Sequence, residues 1–266
     1  MYPKLIEIGP VPVYSYGLML GIAFLTASAL FSRQLKRNNL DEGIGVTVTF
    51  LCLIGGLVGS KLFYILEEWN FGSSKPLTSY FTKDMLFSPS GLTFYGGLLL
   101  AIILVIVYCK SKKLSVLMMF DLMSPCAAIA YGIARIGCHL SGDGDYGIPV
   151  NGTFWEFIGY SYLNGTVPTH EGVYVHPTPV YEFLVSLFIF AFLWKRRSTY
   201  KTSGIIFAYY LILTGIARLL VEFIRLNPTV AIGLSQAQII SVIMILGGIY
   251  LLFNKLNQEK QLTPAV

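Results

Sequence analysis

The chain has 266 residues, 55% of them hydrophobic and only 12% charged, with a mean hydropathy of +0.65. Soluble domains carry about 25% charged residues, so a single water-soluble core is excluded. A membrane barrel would alternate in segments of about ten residues, whereas the apolar runs here are long and unbroken. The net charge of +5 does not indicate nucleic acid as a partner, because the basic residues follow the loops of a membrane topology.

A membrane-spanning helix needs about 20 mostly apolar residues. The first is expected at 14–32, opened by Tyr16-Gly17. A tyrosine at that position serves as an interfacial anchor. The apolar stretch 17–30 is preceded by Lys4 and Glu7 rather than by a basic cluster, so it reads as a retained span and not as a cleaved signal peptide. The second span is expected at 44–66. A polar arm follows at about 67–91, with Gly72, Ser73, Ser74, Pro76 and Pro89. The third span, 92–109, begins in Thr93-Phe94-Tyr95-Gly96-Gly97-Leu98, whose glycines permit close helix packing.

The fourth span, 115–137, ends in Tyr131-Gly132-Ile133-Ala134-Arg135-Ile136-Gly137-Cys138-His139. The segment 138–177 is too long for a bare connector and reads as a small folded head. It starts with Gly142-Asp143-Gly144-Asp145-Tyr146-Gly147, whose glycines let the backbone turn tightly and approach a ligand. Asp143 and Asp145 can orient Arg135 or bind a cation, though the spacing is not that of a calcium loop. The same segment also reads as an ordinary tight turn. The fifth span, 178–194, carries Glu182 one turn inside. The sixth, 203–223, carries Arg218 and Glu222, with Arg225 just beyond, and the seventh is expected at 234–253.

Lys and Arg alternate along this order. Arg33, Lys36 and Arg37 follow the first span, Lys110, Lys112 and Lys113 the third, Lys195, Arg196, Arg197 and Lys201 the fifth, and Lys255 and Lys260 lie in the tail. The other loops are poor in cations, and none occurs between Ile136 and Trp194. The positive-inside rule then puts the C-terminus in the cytoplasm and the N-terminus, arm and head outside. The expected fold is an all-α polytopic membrane protein, with seven transmembrane helices and a small outward-facing head between spans four and five. The whole of 1–266 forms one membrane-embedded domain. The four cysteines, Cys52, Cys109, Cys126 and Cys138, show neither metal nor disulfide spacing.

Charges at hydrocarbon depth cost roughly 2.5–3.5 kcal/mol each on insertion scales and mark function. Arg218, Glu222 and Arg225 are spaced i, i+4 and i+7, one stripe of a helix. Arg135 and Glu182 reach the same membrane level from other helices. The functional reading is a pocket in which Arg135 and Arg218 clamp a phosphate while Glu182 and Glu222 hold the guanidiniums, since the planar guanidinium fork meets phosphate oxygens in pairs. The alternative is a set of structural ion pairs, with Arg225 reaching out to the surface.

Tyr16-Gly17-Leu18, Tyr95-Gly96-Gly97-Leu98, Arg135-Ile136-Gly137 running to Tyr146-Gly147, His176-Pro177 with Tyr181-Glu182, Arg218 to Arg225, and Gly233-Leu234-Ser235-Gln236-Ala237-Gln238 occur in the order of blocks in a known family. Over nearly its whole length the chain resembles the prolipoprotein diacylglyceryl transferases. The resemblance implies a multi-pass enzyme of the bacterial cytoplasmic (inner) membrane; no cofactor or metal is implied, and a monomer is expected because one chain is enough to enclose a pocket. Its partners would be phosphatidylglycerol and a lipoprotein precursor bearing a lipobox cysteine, whose thiol receives the diacylglycerol as glycerol phosphate leaves. The catalytic set becomes Arg135, Arg218, His139 and Tyr95. The substrate-binding set becomes Tyr16, Gly96, Gly97, Gly137, Gly142, Asp143, Asp145, Gly147, Glu182, Glu222 and Arg225. Three departures fall in this pocket: Tyr95 where the family usually carries histidine, Cys138 where asparagine is usual, and a glycine block one residue longer. His139 is the candidate base, with His176 behind it. A lipid-binding or transport paralogue without transferase chemistry is the other reading, as is a purely structural membrane protein.

Overall fold

A computed structural model of the protein describes residues 1–9, 11–71, 93–231 and 233–262. Among them, seven helices are long and apolar enough to cross a membrane. They are α1 (Ser15–Arg37), α2 (Gly43–Phe71), α3 (Phe94–Ser111), α4 (Val116–Ser141), α5 (Thr178–Arg196), α6 (Ile205–Glu222) and α7 (Gln236–Leu262). All seven expected spans are present in order. Several helices outrun them, as α1 does through Lys36 and Arg37, because a helix need not stop where the hydrocarbon stops and cations suit its C-terminal end.

Two short antiparallel hairpins were not foreseen from the sequence. One joins β1 (Lys4–Ile8) to β2 (Val11–Tyr14), the other β3 (Thr229–Ala231) to β4 (Leu234–Ser235). Of the arm expected at 67–91, residues 67–71 continue α2, and 72–91 lie outside the described residues. The helix α4 continues past the expected 137 to Ser141. Gly142 stops it, with its N–H bonded to the Cys138 carbonyl at 2.9 Å and a positive φ of 59°, the backbone state that glycine adopts after a helix end.

The chain forms two compact units, Ser32–Met119 and a larger one built from Met1–Phe31 with Phe120–Val266. In the smaller unit α2 and α3 pack through small residues. A Cβ on Gly97 would lie 2.6 Å from the Gly56 carbonyl oxygen, and one on Gly96 would lie 2.6 Å from that of Gly59. In lipid the hydrophobic effect gives helices no reason to associate, so close contact between backbones supplies the attraction.

In the larger unit α4, α5 and α6 share a core of Ala128, Ile189, Leu193 and Ile206, flanked by Phe190, Tyr210 and Leu213. At one end of this core the Asp121 carboxylate of α4 accepts the backbone N–H groups of Gly204 (2.6 Å) and Phe207 (2.7 Å). It thereby caps donors that α6 cannot satisfy itself. At the other end α1 crosses α4 at Gly137, where a Cβ would come within 3.0 Å of the Met19 Cβ. The chain between α4 and α5 folds back on these helix ends. Thr166 and Val167 donate to the carbonyls of Ser141 and Gly142 (2.9 and 2.8 Å), and Ile148 donates to that of Ile224 (2.8 Å). The head thus starts at Gly142 and is fastened to the last turn of α4 and to the exit of α6.

Candidate active site at the head-side end of the helices

The local sequence sets up this site in three steps. Pro177 and Pro179 define the start of α5, since proline is pre-organised for a first turn, and this places Glu182 one turn inside. The four-residue spacing aligns Arg218 with Glu222 on α6. Gly147 then allows the head to close on both. A Cβ there would sit 3.0 Å from the His176 Cβ and from the Thr178 methyl.

The result is a compact charge network on Glu182. Its carboxylate lies 3.4 Å from Arg135 Nε, 3.0 Å from Arg218 Nη1 and 3.3 Å from Arg225 Nη1. Asp145 bridges Arg135 and Arg225, and its backbone carbonyl accepts the Thr178 hydroxyl. Glu222 holds Arg218 at 2.9 Å through Oε2. Its other oxygen accepts Asn227 Nδ2 (2.6 Å) and Ser235 Oγ (2.7 Å). Arg225, expected either to join the pocket or to reach the surface, is inside it with its side chain only 6% exposed.

Three partners went unnoticed in the sequence. Tyr131 donates its hydroxyl to Glu182, and its ring lies under the Arg135 guanidinium at 4.8 Å. Its position four residues before Arg135 was the available signal, because it puts both on one helix face. Asn227 and Ser235 gave no such signal, since their roles depend on how the chain after α6 turns through the β3–β4 hairpin.

The network is formally neutral but rich in donors. Three guanidiniums bring about fifteen N–H groups and three carboxylates accept about twelve bonds. Tyr131, Asn227 and Ser235 take part of that acceptor capacity. N–H groups therefore remain for the oxygens of a ligand. Arg218, 24% exposed, is the most accessible of the three guanidiniums, followed by Arg135 at 16%. Burial raises the proton affinity of Asp145, but the Arg135 and Arg225 guanidiniums outweigh it and hold the carboxyl below its ordinary value. For Asp143 the Arg135 guanidinium is outweighed, so burial first and the Asp145 charge second push it up. Cys138, Asp143 and Asp145 place their ligating atoms within 4.8 Å of one another. Arg135 and Arg225 already supply the positive charge there, and Arg135 Nη1 lies 3.8 Å from the Cys138 sulfur.

Tyr16 packs its backbone against Gly137, 3.3 Å from the ideal Cβ position, and lies within electrostatic reach of Cys138, Asp143, Arg135 and Asp145. His139 turns toward the head. Its Nδ1 is 2.9 Å from the Tyr162 hydroxyl, and its ring rests on Tyr160 at 4.9 Å. His176 pairs Nδ1 with the Tyr181 hydroxyl at 3.1 Å, and burial keeps its imidazole below the ordinary value. It lines an open cleft of about 390 Å³ with Trp155, Ile158, Tyr181 and Ile224. The structure therefore brings Arg135, Arg218, Arg225, Asp145, Glu182 and Glu222 together, with Gly137, Gly142, Gly147 and Tyr16 beside them. Tyr95, Gly96 and Gly97 stand in the smaller unit, where Tyr95 borders an apolar groove of about 250 Å³ with Phe63, Leu98, Leu99 and Ile102.

The family model described as prolipoprotein diacylglyceryl transferase matches residues 3–254. A protein of Leptospira interrogans named phosphatidylglycerol–prolipoprotein diacylglyceryl transferase is 35% identical, over 95% of this chain and 92% of its own length. One of the same name from Clostridium tetani is 34% identical over 98% of this chain and its entire length. A third from Clostridium perfringens, named as the second such transferase, is 31% identical over 96% of both chains. With a match that spans the membrane helices and the charged site alike, the chain belongs to the prolipoprotein diacylglyceryl transferase family.

Proposed function

We propose that this protein transfers the diacylglycerol moiety of phosphatidylglycerol to the thiol of a cysteine in a lipoprotein precursor. The observation that carries this reading is the convergence of Arg135, Arg218 and Arg225 on the single carboxylate of Glu182. Three permanently charged, donor-rich groups at a membrane-helix end suit one phosphodiester headgroup. In this reading the chain works as a monomer in the bacterial inner membrane, with the head and N-terminus outside and the C-terminus in the cytoplasm.

In the reaction the thiolate sulfur attacks the glycerol carbon that joins the diacylglycerol to the phosphate. A C–S bond forms, the C–O bond to the phosphate breaks, and its electron pair leaves on glycerol phosphate. Arg218 and Arg135 bind the phosphate oxygens and stabilise the charge that grows there. Arg225, the most enclosed of the three, keeps Asp145 and Glu182 in place behind them. A free cysteine has a pKa of about 8.5, so a base that takes its proton raises the reactive fraction. His139, with Nδ1 beside the Tyr162 hydroxyl, fills that role in this reading. His176, in the cleft wall, is the runner-up.

Proteoliposomes holding phosphatidylglycerol labelled in its diacylglycerol moiety, incubated with a peptide bearing a lipobox cysteine, test the reading. Label should appear on the peptide and glycerol phosphate should be released in equal amount. Binding of the lipid with neither product would leave a lipid-binding paralogue and overturn the transferase.

A further inference from the structure

The head ends in an aromatic tip that the chemistry above does not use. After the cap of Thr153, whose Oγ1 accepts the Trp155 N–H at 3.2 Å, residues Phe154–Ile158 make a short 3₁₀ turn. Phe154, Trp155 and Phe157 are 80%, 51% and 74% exposed, and the Phe154 ring meets the other two edge-on at 5.3 and 5.9 Å. The one charged residue of the turn, Glu156, is folded back, its carboxylate accepting the Gly152 N–H at 2.9 Å. Three aromatic rings in water would be a costly apolar patch.

Their height along the molecule decides what covers them. Trp155 and Ile158 share one cleft with Tyr181 and Ile224. Tyr181 lies in the first turn of α5, and Ile224 comes two residues after α6 ends. The tip is therefore folded back to the level at which α5 begins and α6 ends, two helices long and apolar enough to cross a membrane. Between Ile136 and Trp194 there is neither lysine nor arginine, so the head has no electrostatic hold on an anionic surface.

We propose that Phe154, Trp155 and Phe157 insert into the leaflet that borders the ends of α4, α5 and α6, as an aromatic anchor in the headgroup–acyl boundary. The amphipathic Trp155 ring favours that depth, the two phenylalanines supply apolar surface, and interfacial elements bury their apolar face about 5–10 Å into it. The anchor fastens the head to the bilayer and turns the cleft beside Trp155 toward lipid. The proposal stands apart from the transferase reading, since it concerns the surface of the head and not the reaction.

The chain contains three tryptophans, Trp69, Trp155 and Trp194. The variant Trp69→Phe/Trp194→Phe leaves Trp155 as sole emitter in the full chain, reconstituted in phosphatidylcholine–phosphatidylglycerol vesicles. Lipids brominated near the headgroup should lower its emission about twofold, more than lipids brominated near the chain ends, and raised salt should not reverse the effect. Should that variant fail to fold, the difference in quenching between wild type and Trp155→Phe reads the same quantity. Quenching by aqueous acrylamide without quenching by brominated lipid would overturn the proposal. So would a Trp155 shielded from both, with emission that depends on protein density in the vesicle, because a second copy would then cover the tip.

Discussion

Carboxylates stand at both ends of the bundle of α4, α5 and α6, and their partners differ in kind. At the far end Asp121 accepts two backbone N–H groups of the α6 start, and Glu259 of α7 accepts the N–H groups of Lys201 and Thr202 at 3.0 and 2.7 Å. Backbone donors are fixed in place, so Asp121 serves as a cap where α6 begins, and Glu259 ties the loop before α6 to α7. At the head-side end Asp145, Glu182 and Glu222 are met by guanidiniums. A guanidinium can exchange a carboxylate oxygen for a phosphate oxygen at little cost in geometry. The same side-chain type is therefore architectural at one end and, under the proposed function, forms part of an anion receptor at the other.

Substitutions at four positions probe that contrast, in descending order of effect. Glu182→Gln should be the most damaging, because it leaves three guanidiniums short of their common partner. Breaking a buried pair costs about 3–5 kcal/mol, which should appear as a large fall in the thermal midpoint in detergent. A midpoint near that of wild type would mean that the head-side network is no tighter than a surface pair. Arg218→Ala should lower transfer to the lipobox peptide about 10²- to 10³-fold, the loss typical of one electrostatic donor, while membrane insertion stays normal. Arg218→Lys should recover little of it, since an ammonium cannot make the paired contact.

Asp145→Asn should cost about 1–2 kcal/mol near neutral pH, the loss of charged hydrogen bonds at a part-exposed site. Its sign with pH is fixed by the depressed carboxyl. The stabilisation is present above the ordinary carboxylate range and disappears as pH falls through the lowered folded value. Denaturant midpoints of wild type and Asp145→Asn should therefore converge on acidification, and a gap that widens would reverse the assignment. Asp121→Ala should cost about 1 kcal/mol as a lost cap and leave turnover per folded molecule unchanged. A drop in turnover comparable to that of Arg218→Ala would erase the distinction between the two ends.

Much of this organisation is legible in the sequence because the membrane makes it so. A nonpolar solvent about 30 Å thick demands long apolar helices, and the cation-rich loops record a topology. The same solvent makes Arg135, Arg218 and Glu182 conspicuous, so the core of the site could be picked out residue by residue. The β1–β2 hairpin, with its short strands, carried no comparable signal, and neither did the β3–β4 hairpin. His139 illustrates a different limit. The sequence offers it as a candidate base but does not show that the last turn of α4 directs its ring to Tyr160 and Tyr162 in the head.

Spacing along one helix determined that Arg218 and Glu222 would meet, since three- and four-residue intervals share a face whatever the rest of the fold does. Only the tertiary structure decided that Glu182 would serve three arginines, that Arg225 would be enclosed, and that Asp145 rather than Asp143 would bridge two of them. Those outcomes depend on where the head closes over the helix ends at Gly142 and Gly147. That closure is a packing of distant segments, for which hydrophobic period and residue spacing hold no record.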